Sequence, residues 1–560
     1  MIRRPLLLAA LLLALVAGFA SASNAADTVS HAPIKGSGSS WAANAIAQWQ
    51  ADVATNGGLR VDFNPNGAAL GRSDFAHNLT DFGVSDIGFQ GAAQQDTSLG
   101  RSYAYLPIAA GGTALPYHLQ VGSQLVRNLR LSGQTVAEIF TGKITNWDDP
   151  AITKDNNGTA LPSIPIIPVV HSEGAGVTYE FTRYLATAYP SIWGPCNGGK
   201  AEATEYFPVN CGGTGAMRSF SGSDGVMNFL TSTGANGAIA IEEYSYPLLK
   251  NYPSAKLLNK AGYYTLPTQY NVAVALTKAQ INMNPSSPDY LLQNLDQVYT
   301  NADPRTYPLS SYVYAIIPTS AKDTKTSTTA ARQTVGDFLY YSICAGQSEI
   351  GPIGYSSLPV NLVQAGFTQI AKLKTADSAV VLTDRNVSTC HNPTFIAGHP
   401  DQNYLAKIAP SPAACDKLGA GPCTGTEGTT NANPVDGKAP TTHTGSTPGG
   451  TTSGGTKTGT TSAGSGGAAT GGGVAAPPSS GDVSALTGAA AGGTAATSDL
   501  GLGAGTVAGG TTAAGTVVPT TLAADEHAGP SRPLTVLVVL LFLLAVVVPP
   551  VVGRLVAVRR

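Results

Sequence analysis

The sequence predicts an α/β protein with two lobes and largely parallel sheets. Three observations carry that expectation. Short apolar runs alternate with helical patterns along most of residues 27–423. Glycine-rich turns stand between an apolar run and the helix that follows it, the place where α/β sheets put ligands. The composition then breaks sharply after Cys423, so the folded part ends there. A stretch of that length exceeds one simple core, which is why two lobes are expected, with a cleft between them as the default site.

Taken in order, residues 1–26 read as a signal peptide. Arg3 and Arg4 precede an apolar run over 6–17, and Ala20, Ala22 and Ala25 offer small residues for cleavage. The mature chain is therefore expected outside the cytoplasm, and no cysteine in this segment can take a lipid. Strands are expected at 59–63 (LRVDF), 81–86 (DFGVSD), 103–110 (YAYLPIAA), 164–170 (IPIIPVV), 270–276 (YNVAVAL) and 312–318 (YVYAIIP). Helices are expected at 135–140, 177–189, 224–232 and 329–346.

Residues 424–530 are rich in Gly, Thr, Ala and Ser and contain no Phe, Trp or Tyr. Such a segment buries too little apolar surface to offset its ordering entropy, so it is expected to be a disordered tether with a reach of roughly 60 Å. Residues 534–553 are uncharged and apolar, long enough to cross a hydrocarbon core of about 30 Å. Arg554, Arg559 and Arg560 follow in a short tail, 554–560, and the positive-inside bias keeps them cytoplasmic. The expected localisation is a single-pass cell-membrane protein with its folded part outside.

Composition excludes some functions. Only 12% of residues are charged and the formal net charge is -2, which gives no electrostatic footprint for nucleic acid. There is no G-x-S-x-G elbow and no H-E-x-x-H pair, and the eight histidines lack metal-ligand spacing. Neither an enzyme nor a cofactor is expected. The six cysteines, an even number in an exported chain, favour disulfides. Proximity suggests Cys196 with Cys211, Cys344 with Cys390, and Cys415 with Cys423. Zinc is the weaker alternative, with no C-x-x-C pair and only His391 beside Cys390.

The stretch His171-Ser172-Glu173-Gly174-Ala175-Gly176-Val177-Thr178 lies between a predicted strand and a predicted helix. Its backbone N–H groups would point at whatever sits beyond the strand, forming an anion cradle made of backbone alone. Gly36-Ser37-Gly38-Ser39-Ser40 forms a second such nest ahead of an amphipathic helix carrying Ile46 and Trp49. It is not a P-loop, because no Gly-Lys-Ser or Gly-Lys-Thr follows. Asp86 ends a third apolar run; a carboxylate there accepts a hydrogen bond from a protonated oxyanion and repels a fully ionised one.

These residues resemble the extracytoplasmic phosphate-binding proteins that feed the phosphate ABC transporter. GSGSSWAANAIAQW is similar to that family's first ligand loop, DFGVSD to its strand ending in the phosphate-accepting aspartate, and VVHSEGAGVTYEFTRYL to its second ligand loop. VAEIFTGKITNWDDPAI is the most specific match, and SGSDGVMNFLTSTGANGAIAIEEYSY resembles a further segment. The resemblance implies a two-lobed, hinge-closing type II periplasmic-binding fold with mixed or parallel sheets, and an ABC permease as partner.

Carried over by position, the resemblance assigns Ser40 as a hydroxyl and backbone donor, Trp41 as a backbone donor and Asp86 as acceptor. Gly174 and Gly176 keep the backbone nest. The remaining positions depart: Ala69 stands where the family has a ligand serine, His171 where it has an anion-pairing arginine, Ala175 where it has serine and Val177 where it has threonine. Hydrogen bonds to a charged group are worth about 1.5 to 3 kcal/mol each, so these losses amount to roughly 6 to 12 kcal/mol before compensation. Neutral histidine donates one N–H and lacks the planar fork of arginine. Arg72, with Ser73 nearby, is the candidate replacement cation. Alternatively His171 and Asp86 pair across the cleft and Trp41 offers an aromatic face to a less charged ligand. The expected function is capture of phosphate or an altered small ligand for a transporter. The alternative is a cell-surface scaffold built on the same fold.

Overall fold

The computed structural model describes residues 29–211, 216–382 and 386–423, all of them within one compact unit. The predicted signal peptide, tether, membrane span and tail lie outside the described residues. Among the described residues no helix is long and apolar enough to cross a membrane.

Two sheets organise the unit. The larger is built from β1 (Ile34–Gly38), β2 (Val61–Asn64), β3 (Phe82–Ser85), β4 (Tyr103–Ala114), β9 (Glu242–Glu243) and β10 (Ser310–Pro318), in the order β9-β4-β10-β3-β1-β2. The smaller is built from β5 (Tyr117–His118), β6 (Ile167–His171), β7 (Arg218–Phe220) and β8 (Ala238–Ala240), in the order β7-β6-β8-β5. The larger is mixed with an antiparallel centre, whereas the smaller is largely parallel, with β5 alone running against its neighbour. β1 pairs in parallel with β2 and β3, whereas β10 runs antiparallel to β3 and β4. The antiparallel centre is formed by β4 and β10, long apolar strands almost wholly buried along their length.

The chain leaves the larger sheet after Ala114 and returns at Glu242. These two crossings lie side by side: Ala114 pairs with Glu242, and Tyr117 with Ile239. An antiparallel ribbon is thus the link between the two sheets.

Helices form at each predicted helical pattern and at other segments besides. α1 (Ala43–Gly57) buries Ile46, Trp49 and Val53 on one face, and Gly58 ends it at φ 64°, a left-handed cap suited to glycine. α2 (Ala68–Ala76) packs on β1 and β3, with Gly71 so close to the Gly38 backbone that a Cβ would collide. α6 (Gly222–Leu230) packs on the smaller sheet, α4 (Gly176–Ala188) packs on α5 (Pro190–Cys196), which also touches α3 (Gly133–Phe140), and α7 (Thr329–Ile343) and α8 (Val360–Ala376) close the larger sheet. Trp49 Nε1 donates to the Gly346 carbonyl at 2.9 Å, tying α1 to the end of α7.

One expected strand is a helix. Residues Gln269–Leu276 are helical, with Thr268 accepting from the Asn271 N–H as N-cap. Its run Val272–Leu276 is buried throughout, and an apolar run without a polar face carries no period that separates strand from helix. All three cysteine pairs form as their proximity suggested, Cys196–Cys211, Cys344–Cys390 and Cys415–Cys423.

Candidate ligand cleft

Both glycine-rich loops abut Asp86, the first through Ser39 and the second through Gly176. Gly38, at φ 141°, ends β1 so close to the Val84 carbonyl that no side chain fits. The loop beyond it turns into a short 3-10 turn at Ser40–Ala42. Ser39 Oγ donates to Asp86 Oδ2 at 2.6 Å. Ser40 Oγ accepts from Ser223 Oγ at 2.9 Å, and the Ser40 carbonyl accepts from Tyr246 at 2.8 Å. Ser40 therefore bonds to α6 and to the segment after β9, across from its own strand.

Asp86 is buried, and a Cβ on Gly176 would collide with its carboxylate. The start of α4 thus rests on Asp86. Burial pushes the Asp86 carboxyl up to about 6, against the lowering effect of the Ser39 hydrogen bond; Glu205 raises it and Arg72 lowers it. Opposite, the Gly174 carbonyl accepts from the Ala69 N–H at 3.0 Å, and the Glu205 carbonyl accepts from the Ala175 N–H at 3.1 Å.

Trp41 does not offer its ring to a ligand. It is 2% exposed, stacked edge-on to Tyr355 at 5.5 Å and pressed against Gly111. The glycine leaves a slot that the indole fills, so packing, not recognition, uses its aromatic face. Its carbonyl accepts from Tyr355 Oη at 2.6 Å.

His171 and Asp86 do not pair. His171 ends β6 fully buried between two other carboxylates, with Nδ1 2.9 Å from Glu173 Oε1 and Nε2 3.5 Å from Glu242 Oε2. Burial opposes a charge on the imidazole, but the hydrogen bond to Glu173 and the nearby Glu242 carboxylate outweigh it and raise His171 to about 10. The ring is therefore an imidazolium at neutral pH, held between its own strand's loop and the ribbon that joins the sheets. Glu173 stays below the usual carboxylate range despite burial, because His171 and the Gly222 N–H both bond to it.

Arg72 is at the cleft and is 1% exposed, so it is no surface residue. All three of its nitrogens are engaged: Nε donates to Asp96 at 2.7 Å, one terminal nitrogen to Ser85 at 2.9 Å, and the other to Glu205. Beneath Asp86, Gln293 donates to the Asp86 carbonyl and to Glu180. Burial raises the Glu180 carboxyl to about 8, Arg183 lowers it and Asp86 adds to the rise.

Sequence reasoning located the two glycine nests, Ser40, Asp86, Arg72 and His171, but not Glu173, Glu205, Glu242 or Ser223. The pair Glu242-Glu243 directly after the apolar run of Ala238 to Ile241 was a legible signal, since buried acids need a partner. Glu205 had none: 133 positions separate it from Arg72.

Residues 20–345 match the PBP superfamily domain. Phosphate-binding protein PstS 3 of Mycobacterium leprae is 30% identical over 329 residues, covering 58% of this chain and 83% of its own length. Phosphate-binding protein PstS 2 of Mycobacterium tuberculosis is 31% identical over 334 residues, covering 58% of this chain and 82% of its own. A solved human phosphate binding apolipoprotein matches with a TM-score of 0.46 at 19% identity, over 59% of this chain and 93% of its own. The chain belongs to the PstS family of phosphate-binding proteins within that superfamily.

Proposed function

We propose that this chain is an extracytoplasmic solute-binding protein, tethered to the cell membrane by its C-terminal segment, that serves an ABC permease through a cleft retuned away from tight capture of free phosphate. It closes on its ligand and performs no chemistry. The tether and apolar span take the place of a lipid anchor.

One observation carries the retuning. Both cations at the cleft are already neutralised from within, His171 by Glu173 and Glu242, and Arg72 by Asp96 and Glu205. A phosphate would have to displace a carboxylate from a buried cation, and Asp86 and Glu180 add to the repulsion as they ionise. Less charged ligands meet no such barrier, and the backbone N–H groups of the first turn of α4, beyond that of Ala175, remain the means of holding a polar group.

A surface scaffold is the second reading, favoured by the direct contact of Gly176 with Asp86 and of Ala69 with Gly174. Native mass spectrometry of the full chain, purified with detergent, separates the two. A receptor carries or accepts a small molecule at one-to-one stoichiometry, and this reading expects one other than phosphate. A bare chain that gains no adduct from a small-solute mixture supports the scaffold, and a stoichiometric phosphate adduct contradicts the retuning.

A further inference from the structure

We infer that Glu205, carried on a disulfide-closed strap, is the residue that sets this cleft against free phosphate, because it stands in for an anion between Arg72 and the second ligand loop. The inference deepens the receptor reading and rests on it. The strap runs from Cys196 at the end of α5 to Cys211, and the disulfide joins its ends. It is pinned to α4 by a reciprocal pair: Thr182 Oγ1 donates to the Thr204 carbonyl at 2.8 Å and accepts from the Thr204 N–H at 2.9 Å. Trp193 Nε1 adds a bond to the Glu202 carbonyl at 2.8 Å. The next residue but two is Glu205.

Both polar ends of Glu205 are spent on groups that would otherwise serve an anion. Its carbonyl takes the Ala175 N–H, a donor of the backbone nest. Its carboxylate takes a terminal nitrogen of Arg72, the cation that would replace the family's missing arginine. Glu205 is 8% exposed and Arg72 1%, so water screens this pair little. A carboxylate held in place competes at an effective concentration of about millimolar or more, whereas phosphate must come from solution. Asp96 and Ser85 hold the other two nitrogens of Arg72 in position, so the guanidinium is already aimed once Glu205 is neutral.

The test is calorimetric titration of inorganic phosphate at pH 7 into the full chain, purified with detergent. Glu205→Gln keeps the carbonyl and the shape but removes the charge, and phosphate affinity is expected to rise at least tenfold. Adding Arg72→Gln to that variant is expected to erase the gain. If Glu205→Gln does not fold, Glu205→Ala carries the same expectation. An unchanged affinity in a folded Glu205 variant, or a gain that survives Arg72→Gln, overturns the inference. The variant carrying His171→Arg, Ala175→Ser and Val177→Thr is run alongside. If it gains phosphate binding while the Glu205 variants do not, the cleft reading stands and the role of the strap falls. If no folded variant gains phosphate binding, both fall.

Discussion

Glu180 and His171 make the same prediction from opposite charges. Glu180 is an acid whose folded value, about 8, lies above its ordinary 4.5. Between those values the folded state holds a proton that the unfolded state has released, so stability falls as pH rises from about 4.5 to 8. His171 is a base raised from 6.5 to about 10. Its contribution is fully present below 6.5 and is lost as pH rises through 10. The melting temperature should therefore decline steadily from pH 6 to pH 10. Glu180→Gln should remove the earlier part of that decline and raise the melting temperature at pH 8.5 by a few degrees. Glu242→Gln should act in the other direction, lowering the His171 value and reducing stability at pH 8, since it leaves the buried imidazolium with Glu173 alone. Scanning calorimetry of the two variants across this range checks both, and a flat wild-type profile would contradict the ionisation states described for the cleft.

Among the elements, those legible in the sequence were those whose neighbours enforce a period. The run at 81–86 became β3, buried at all four of its positions, and the pattern at 177–189 became α4, which buries Val177, Phe181, Tyr184 and Leu185 behind a glycine turn. Gln269–Leu276 was misread because its apolar residues surround the axis, leaving no pattern to read. The cleft divides in the same way. Gly38, Gly174 and Gly176 announce themselves because only glycine tolerates those contacts, whereas the acids that neutralise His171 and Arg72 come from distant segments that meet only in the fold. The Cys344–Cys390 bridge belongs to this level too, since it fastens the C-terminal segment to the end of α7 across 46 positions. Replacing both cysteines by alanine should lower stability by about 2 to 4 kcal/mol, read from denaturant unfolding. Phosphate affinity should stay unchanged, because neither residue touches the cleft loops.

For the molecule as a whole, family membership and the state of the cleft point in different directions. The chain belongs to a family of phosphate-binding proteins, while the charged side chains around its two glycine-rich loops are paired with one another. Membership alone predicts tight phosphate capture, and the paired charges predict its loss. The most direct measurement is the dissociation constant of inorganic phosphate for the full wild-type chain at pH 7, read by calorimetry. Micromolar binding corresponds to about −8 kcal/mol, and the lost hydroxyls and arginine remove most of that. A dissociation constant of about 1 mM or weaker is the expected result. Micromolar or tighter binding would contradict the account, because it would mean that Glu205 or the carboxylates around His171 yield their cations to phosphate.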